Sequence, residues 1–365
     1  MKNRLLYAIF SVYSICYAEC KFIDKDVQTF MQRNQVNGVA IALIQKESIQ
    51  YCNYGYTDSN KKNKVSEKTL FEIASLTKTF TANLIAIAQL DGKLNIYNPI
   101  TTYLPELKTN SYYSKINTLE LLTHVANIPA KLSNTQTESD LINSLIKIQY
   151  TKNPETDYIY SNPGITLSGI ILERLYKKTY QDVLSQQLLD KLNMQYTFVK
   201  IPLKYQSLLS NGYNNTNTQI PTYKSGALVP SGGLKSNTHD LALYLKYQIN
   251  GSQDTLLNNA LAIIHKDYYC IGGIQYQQLA WNHMSDTELD KIYNDQQTLQ
   301  THKIGKICNF QGGFIAKSGT LYGMSSYMAY SPHYKDGVII LINKGLVGDR
   351  VRLATRILKL LESNL

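Results

Sequence analysis

Strand-like segments lie at both ends of this sequence, and a long helical region separates them. "VAIALIQKESIQYCNYGY" predicts two strands joined by a polar turn at residues 46–48, and "GGFIAKSG", "MSSYMAYS" and "GVIILIN" predict three strands near the C-terminus. Residues 350–362 have the apolar spacing of a closing amphipathic helix. We therefore predict an α+β fold (an α/β sandwich), in which an antiparallel sheet of N- and C-terminal strands is flanked by helices.

The helical region forms the second part of the predicted architecture. We expect a sheet lobe made of residues from about 19–85 and 270–365, and a mainly helical lobe inserted at about 86–269. A chain of 365 residues is long enough for one domain of two such lobes with a substantial core. Because binding sites often lie where two lobes meet, we expect the functional site between them.

The first 18 residues, "MKNRLLYAIFSVYSICYA", have the composition of an export signal. Lys2 and Arg4 provide a basic start, and the mostly apolar residues 5–18 are too few to span a bilayer easily. We predict a signal peptide at 1–18, a mature domain at 19–365 and a periplasmic location; an uncleaved N-terminal anchor is the alternative. No later segment is long and apolar enough to cross a membrane, so we expect no stable membrane insertion after cleavage.

Cysteine and histidine spacing gives no sign of a metal site. Removal of the signal leaves Cys20, Cys52, Cys270 and Cys308, which allow three disulfide pairings that the sequence does not distinguish. There is no paired CxxC and no HExxH, and the six histidines are scattered. We therefore expect no metal and no cofactor.

The net charge of +10 comes mostly from lysines that are spread along the chain. A nucleic-acid-binding surface requires basic residues clustered on one face with interleaved aromatic residues, and no such cluster is visible in this sequence. We therefore expect no nucleic-acid partner.

The pattern Ser-x-x-Lys occurs three times, and its context differs each time. One occurrence begins at Ser59 in a charged loop and another at Ser144 in the middle of a helical segment. The third, Ser75 with Lys78 in "FEIASLTKTF", stands where a periodic apolar stripe begins. At this spacing the lysine can reach the serine hydroxyl, and the helix N-terminus favours an alkoxide. The alternative is a helix-capping serine beside a solvated lysine.

The segment "YIYSNPG" contains Tyr160 and Asn162 as a Tyr-x-Asn triplet. Asn162 can hold a lysine amine or bind a substrate amide, and a tyrosine beside ammonium groups has a lowered pKa and can act as a base. The same spacing begins at Tyr51 and at Tyr213. Because the chain has 29 tyrosines, chance occurrence is the alternative.

A third pattern is "AKSGT", which places Lys317, Ser318 and Gly319 on a predicted strand. A strand edge offers backbone N–H groups, and the glycine lets a ligand approach closely. A second Lys-Ser-Gly begins at Lys224, in a loop-like region without a strand pattern. The alternative is a protective lysine on an exposed edge strand.

Together and in this order, the three patterns resemble those of the penicillin-recognising serine hydrolases. The Tyr-x-Asn form is similar to that of the class C β-lactamases and their D-alanyl-D-alanine peptidase and esterase relatives. The resemblance also includes "NYGYTDSNKKNKVSEKTLFEIASLTKTFTANLIAIAQLDGKLNIYNPITTYLPEL" and "GGFIAKSGTLYGMSSYMAYSPHYKDGVIILINKG". It covers essentially the whole mature chain and is weakest between about residues 200 and 310.

The resemblance implies a role for each of these residues. Ser75 would be the acylated nucleophile, Lys78 and Tyr160 would exchange its proton, and Asn162 would bind the substrate's side-chain amide. The backbone N–H groups of Ser75 and Thr320 would form the oxyanion hole.

The resemblance also implies a site for the substrate carboxylate. Lys317 would keep the pKa of the tyrosine low and, together with Ser318, would meet the carboxylate. Asn343 in "LINKG" resembles an asparagine on the carboxylate side of the family's site.

Two departures from the class C pattern concern substrate handling. Gly232 in "SGGLKS" replaces an expected tyrosine, as in peptidase and esterase relatives, and Lys131 replaces an expected glutamine at the edge of the site. We therefore expect a monomeric periplasmic serine β-lactamase whose Ser75 acyl-enzyme is hydrolysed by water. A D-alanyl-D-alanine peptidase or esterase that acts on cell-wall peptides is the alternative. The third hypothesis is a catalytically inactive wall-binding or sensor protein.

Overall fold

The central element of this computed structural model is a ten-stranded antiparallel sheet. The structure describes residues 20–285, 302–305, 307–310, 312–345 and 347–363, and the predicted signal peptide at 1–18 lies outside them. The strand order across the sheet is β2-β1-β14-β13-β12-β10-β9-β8-β11-β4. Within the described residues the strands are β1 Gly38–Gln45, β2 Ser48–Gly55, β3 Phe71–Glu72, β4 Asp157–Tyr158, β5 Gly212–Tyr213, β6 Gln219–Ile220, β7 Lys235–Ser236, β8 Tyr269–Ile271, β9 Gln275–Gln277, β10 Asn282–Met284, β11 His302–Gly305, β12 Phe314–Thr320, β13 Ser325–Ser331 and β14 Asp336–Ile342.

Helices precede, follow and cover this sheet. In the part of the chain that the structure describes, none of them is long and apolar enough to cross a membrane. The helices are α1 Lys21–Asn34, α2 Thr77–Leu90, α3 Thr118–Leu122, α4 Glu138–Ile146, α5 Asn162–Tyr176, α6 Tyr180–Leu184, α7 Val229–Gly232, α8 Thr238–Asn250, α9 Thr255–Ile264 and α10 Arg350–Ser363.

The N-terminal and C-terminal strands share one sheet, as the sequence predicts. Strand β1 pairs antiparallel with β14 from Val39↔Ile342 to Gln45↔Asp336. Its other neighbour is β2, and Lys46 begins the predicted turn between them with a left-handed φ of 54°. This arrangement confirms the α+β prediction and the antiparallel sheet built from both ends of the chain.

Both faces of the sheet are covered, which explains why β1 is apolar along its whole length. On one face, α1 and α10 enclose a core around Val39 and Ile340. On the other face, a larger core joins Ala40 and Leu341 to the helices α2, α5 and α8. The lobe boundaries near residues 86 and 269 remain a prediction. Helix α8 and strand β4 both fall within the predicted helical lobe, yet α8 packs on the sheet and β4 forms the edge of the sheet beside β11.

Two disulfides select one of the three possible pairings. Cys20 at the start of α1 is bonded to Cys52 on β2, with their Cα atoms 5.9 Å apart. Cys270 on β8 is bonded to Cys308, with a Cα separation of 5.4 Å. Both separations lie within the ordinary range for a disulfide. The first bridge therefore ties the N-terminal helix to the outermost strand of the sheet.

Candidate active site

Ser75 lies on a tight turn immediately before α2. A short 3-10 helix, Ala74–Leu76, leads directly into α2, so the predicted position of the serine at a helix start is confirmed. Ala74 has a φ of 50°, a conformation that is uncommon for a residue with a side chain. Such strain in front of a partly exposed serine is typical of functional sites.

Strand β12 comes unusually close to this turn at Gly319. A Cβ atom on Gly319 would lie 2.6 Å from the carbonyl oxygen of Ile73 and 3.0 Å from the backbone nitrogen of Ser75. The Ser326 hydroxyl also donates a hydrogen bond of 2.8 Å to that Ile73 carbonyl. Only glycine fits at this position, so β12 and the Ser75 turn lie in direct contact.

Lys78 is fully buried, one helical turn after Ser75. Its Nζ lies 2.9 Å from Ser75 Oγ and donates a second hydrogen bond of 2.6 Å to the carbonyl oxygen of Ser231. Burial, and secondarily the charge of Lys317, lower the pKa of Lys78 well below its usual value. A neutral amine at this distance has a lone pair that can accept the serine proton.

Tyr160 brings the second predicted pattern to the same place. Ser161 caps α5 by accepting a hydrogen bond from the Gly164 N–H, so Tyr160 stands immediately ahead of that helix. The centre of its ring lies 4.9 Å from Lys78 Nζ and 4.8 Å from Lys317 Nζ. The phenol of Tyr160 thus contacts both predicted amines.

The expectation of a low tyrosine pKa is wrong for this pocket. Burial raises the pKa of Tyr160 above its usual value, and a hydrogen bond with Ser75 offsets only part of that effect. The expectation assumed one or two ammonium ions beside the ring, but burial also lowers the pKa of Lys317 to about 7. Tyr160 is therefore a neutral phenol that can donate a proton.

Ser75, Tyr160 and Lys317 line a pocket of about 320 Å³. Lys131, a predicted departure from the class C pattern, also lines it, whereas the described lining contains no acidic residue. Elsewhere in the described chain, no group of three or more His, Cys, Asp or Glu side chains is placed to hold a metal ion. The pocket residues are Ser75, Ala130, Lys131, Tyr158, Tyr160, Asn162, Gln275, Asn282, Lys317, Ser318 and Thr320.

One edge of β12 is open beside the pocket. Its other edge pairs with β13 along its whole length, but β10 pairs only with residues 314–316 and stops at Asn282↔Ala316. Within the described residues, the N–H and C=O groups on that edge of 317–320 have no strand partner. They are therefore available to a ligand with an extended backbone.

Thr320 is held from behind by a buried arginine. The Arg350 guanidinium donates to Thr320 Oγ1 at 2.7 Å and to the Ser326 carbonyl at 3.1 Å. Thr320 itself is exposed to the pocket. The sequence alone did not indicate this support.

The prediction that Asn343 meets a substrate carboxylate is wrong. Its side chain is completely buried and does not line the pocket. Its Oδ1 accepts from the Gly38 N–H at 2.8 Å, and its Nδ2 donates to the Tyr56 carbonyl and to Ser210 Oγ. Both N–H groups and the oxygen of the amide are thus engaged at the ends of β1, β2 and β14, so Asn343 is a structural residue.

The rival sequence patterns lie elsewhere. The Ser59 N–H donates to the Tyr213 hydroxyl, and Ser144 lies half-buried on α4, where its hydroxyl donates to the Asn134 carbonyl. Tyr51 stacks on His239. Neither these residues nor Lys224 line the pocket that contains Ser75.

The sequence reasoning missed five contributors to the site: the Ser231 carbonyl and the lining residues Ala130, Tyr158, Gln275 and Asn282. The Ser231 carbonyl binds the Lys78 amine, but it is a backbone group and leaves no side-chain signal. Tyr158 and Gln275 also line the pocket, and the Nε2 of Gln275 is buried without a hydrogen-bond partner among the described residues. Gln275 reaches the site through strand pairing in a region where sequence patterns are weak.

A larger cavity of about 950 Å³ does not contain the predicted chemistry. It is lined by residues such as Glu173, Phe198 and Tyr205, and none of the predicted site residues borders it. Size alone is therefore a poor guide here, and the smaller pocket around Ser75 is the candidate active site.

Comparison with known proteins agrees with this geometry. The sequence profile of the family described as Beta-lactamase matches residues 23–362. The chain belongs to the β-lactamase family. Among its relatives in this family, the β-lactamase of Pseudomonas fluorescens is 30% identical over 355 residues, covering 93% of this chain and 98% of the relative. The β-lactamase of Lysobacter lactamgenus is 28% identical, with coverage of 92% and 90%.

Solved β-lactamase structures share the whole architecture. A β-lactamase/D-alanine carboxypeptidase from Pseudomonas syringae superposes with a TM-score of 0.86 at 30% identity, covering 93% of this chain and 98% of the other. A class C β-lactamase in complex with cefoxitin gives a TM-score of 0.86 at 25% identity, with coverage of 94% and 98%. The fold described here is therefore that of the class C β-lactamases.

Proposed function

We propose that this protein is a periplasmic serine hydrolase that opens the β-lactam ring through an acyl-enzyme on Ser75. The observation that carries the proposal is the 2.9 Å contact between Ser75 Oγ and the buried amine of Lys78. A hydroxyl so close to a neutral amine is an activated nucleophile. Ser75 shares the pocket with Tyr160 and the edge of β12, and the amine of Lys78 lies buried beneath it.

Acylation begins when Ser75 Oγ attacks the lactam carbonyl and its proton passes to Lys78. The carbonyl oxygen becomes an oxyanion, for which the backbone N–H groups of Ser75 and Thr320 are the proposed donors. The C–N bond then breaks, and the ring nitrogen takes a proton from the Tyr160 phenol. Tyr160 recovers its proton from the Lys78 ammonium, so the lysine is neutral again at the end of this step.

Deacylation uses the same groups in turn. Neutral Lys78, acting directly or through Tyr160, removes a proton from a water molecule that attacks the ester carbonyl. The ester C–O bond breaks and the proton returns to Ser75 Oγ, which restores the free enzyme. The slow step depends on how well water reaches the ester, so the acyl-enzyme lifetime separates a β-lactamase from a peptidase.

Substrate binding follows from the charge of the pocket. Lys317 and Ser318 lie on the open edge of β12, and no acidic residue lines the described pocket. A carboxylate that binds beside Lys317 favours the protonated form of this amine and so restores its charge, and we assign the substrate carboxylate to this position. Asn162 at the start of α5 is the proposed partner of the substrate's side-chain amide.

The second candidate is a D-alanyl-D-alanine peptidase or esterase that uses the same residues. Two observations favour it: the unpaired edge of residues 317–320 suits a peptide in strand conformation, and the similar Pseudomonas syringae structure is described as both a β-lactamase and a D-alanine carboxypeptidase. Gly232 in place of a class C tyrosine also fits this reading.

Intact-mass spectrometry of the chain without residues 1–18, after a brief exposure to benzylpenicillin, tests both candidates. A β-lactamase shows a transient adduct and rapid hydrolysis of a chromogenic cephalosporin, whereas a peptidase keeps the adduct. Ser75→Ala is the control and forms neither adduct nor product. If the wild-type protein forms no adduct and no product, both candidates are excluded. N-terminal sequencing of the protein released by osmotic shock tests the signal peptide and the periplasmic location.

A further inference from the structure

A buried histidine contacts the segment that carries Tyr160. His124 follows α3 and is only 2% exposed. Its φ of 62° is in the left-handed region, which is uncommon for histidine and is retained only where the surroundings enforce it. The position of His124 is thus defined by its contacts rather than by its own backbone preference.

Three contacts connect His124 to Tyr160 and its neighbours. The Ile159 N–H donates to the His124 carbonyl at 2.8 Å, and the Ser161 N–H donates to His124 Nδ1 at 3.1 Å. The imidazole ring also packs on the Tyr160 ring, with centroids 4.3 Å apart and planes tilted by 38°. One residue therefore binds the N–H groups of both neighbours of Tyr160 and supports its ring.

The hydrogen bond from Ser161 fixes the tautomer of His124. Because Nδ1 accepts, the proton is on Nε2, which is buried without a hydrogen-bond partner among the described residues. Burial, followed by the nearby charges of Lys317 and Lys78, lowers the pKa of His124 well below its usual value. The ring is therefore neutral and offers Nδ1 as a permanent acceptor.

We propose that His124 is a positioning residue, which holds the Tyr160 phenol in line with Ser75 and the two lysines. The proposal rests on the proposed function of Tyr160 as a proton carrier. Proton transfer is sensitive to such positioning, because a displacement of about 1 Å can cost ~100-fold in rate. His124 does not itself touch the reacting atoms, so its effect must pass through the phenol.

Three substitutions separate the contacts of His124. His124→Asn keeps an acceptor near the position of Nδ1 and tolerates a positive φ. His124→Phe keeps an aromatic ring but removes the acceptor. His124→Gly removes both and relieves the backbone strain. We expect the acylation rate constant of His124→Asn to stay within about fivefold of the wild-type value. The rate constants of His124→Phe and His124→Gly should be lower than wild type by roughly 10- to 100-fold.

The decisive measurement repeats these substitutions in a Tyr160→Phe background. If His124 acts through the phenol, replacing it by Gly or Phe changes the acylation rate of Tyr160→Phe by less than about twofold, since coupled residues are not additive. An equal loss in both backgrounds, or an Asn variant as slow as Gly, would overturn the proposal. Thermal unfolding identifies a variant that does not fold, and the Asn–Gly comparison still decides if Phe is lost. Absence of wild-type acylation instead overturns the proposed function, and His124 positioning with it.

Discussion

Replacement of Lys317 by methionine should stabilise this protein and make its stability less dependent on pH. Lys317 is 4% exposed, and burial lowers the pKa of its amine from 10.5 to about 7. Methionine is an unbranched side chain of similar length that carries no charge to desolvate. The substitution therefore removes the free-energy cost of burying an amine that is charged in the unfolded chain at neutral pH. It also removes the proposed carboxylate-binding group.

The size and sign of the effect follow from proton linkage. Between pH 7 and pH 10 the unfolded chain binds more protons at this lysine than the folded chain does, so the free energy of unfolding rises with pH. Each pH unit contributes up to ~1.4 kcal/mol, which gives about 4 kcal/mol over the interval. This contribution to the free energy of unfolding is fully present above the pKa that the lysine has in the unfolded chain. It is lost as the pH falls to about 7. We expect Lys317→Met to be more stable than wild type by about 4 kcal/mol at pH 7 and by little at pH 10.5.

Urea unfolding at four pH values between 7 and 10 measures this difference. Lys62→Met, at an exposed lysine in a loop, is the matched control and should follow the wild-type curve. The other tyrosines titrate alike in all three proteins, so the comparison isolates Lys317 together with its contact to Tyr160. Parallel stability curves for wild type and Lys317→Met would show that the buried amine keeps its proton, and the reasoning about the neutral site would fail.

Three other substitutions test the geometry around the site. Gly319→Ala should lower the acylation rate by roughly 100-fold, because the new Cβ would lie 3.0 Å from the Ser75 nitrogen. Single-turnover acylation measures this rate, and an unchanged rate would contradict the close contact. The double replacement Cys20→Ser and Cys52→Ser should lower the free energy of unfolding by about 3–4 kcal/mol in the loop-entropy description, as measured in urea, and leave acylation unchanged. Asn343→Ala should lower the free energy of unfolding by about 2–4 kcal/mol, because the Gly38 N–H and the Tyr56 carbonyl lose their partner, and KM should stay constant. A raised KM in a fully stable variant would instead restore the predicted role of Asn343 in binding.

Patterns along the chain predicted the sheet because its strands have a strong local signal. The β1–β2 hairpin and the presence of N- and C-terminal strands in one sheet follow from apolar segments bounded by turns, whereas the pairing of β1 with β14 came from the structure. Ser75, Tyr160 and Lys317, which share one pocket, and Lys78, which contacts Ser75, were singled out because each belongs to a short motif whose order along the chain is informative.

The parts that were missed depend on distances across the fold. The Ser231 carbonyl is a backbone group, which no side chain marks in the sequence. The structural role of Asn343 depends on three hydrogen-bond partners that are far away in the sequence. The pKa of Tyr160 was misjudged because the sequence shows which charges are near but not how deeply they are buried. Disulfide pairing likewise requires the Cα separations that only the folded chain defines.

The turn that carries Ser75 is held by parts of the chain more than 150 residues away. The Ile73 N–H donates to the Leu234 carbonyl, the Ile73 carbonyl accepts from the Ser326 hydroxyl, and Gly319 lies directly against the turn. No fragment that lacks one of these segments contains the complete arrangement. Covalent labelling by a penicillin would therefore count the molecules that have reached the native state, and the time course of labelling during refolding would report the last step of assembly.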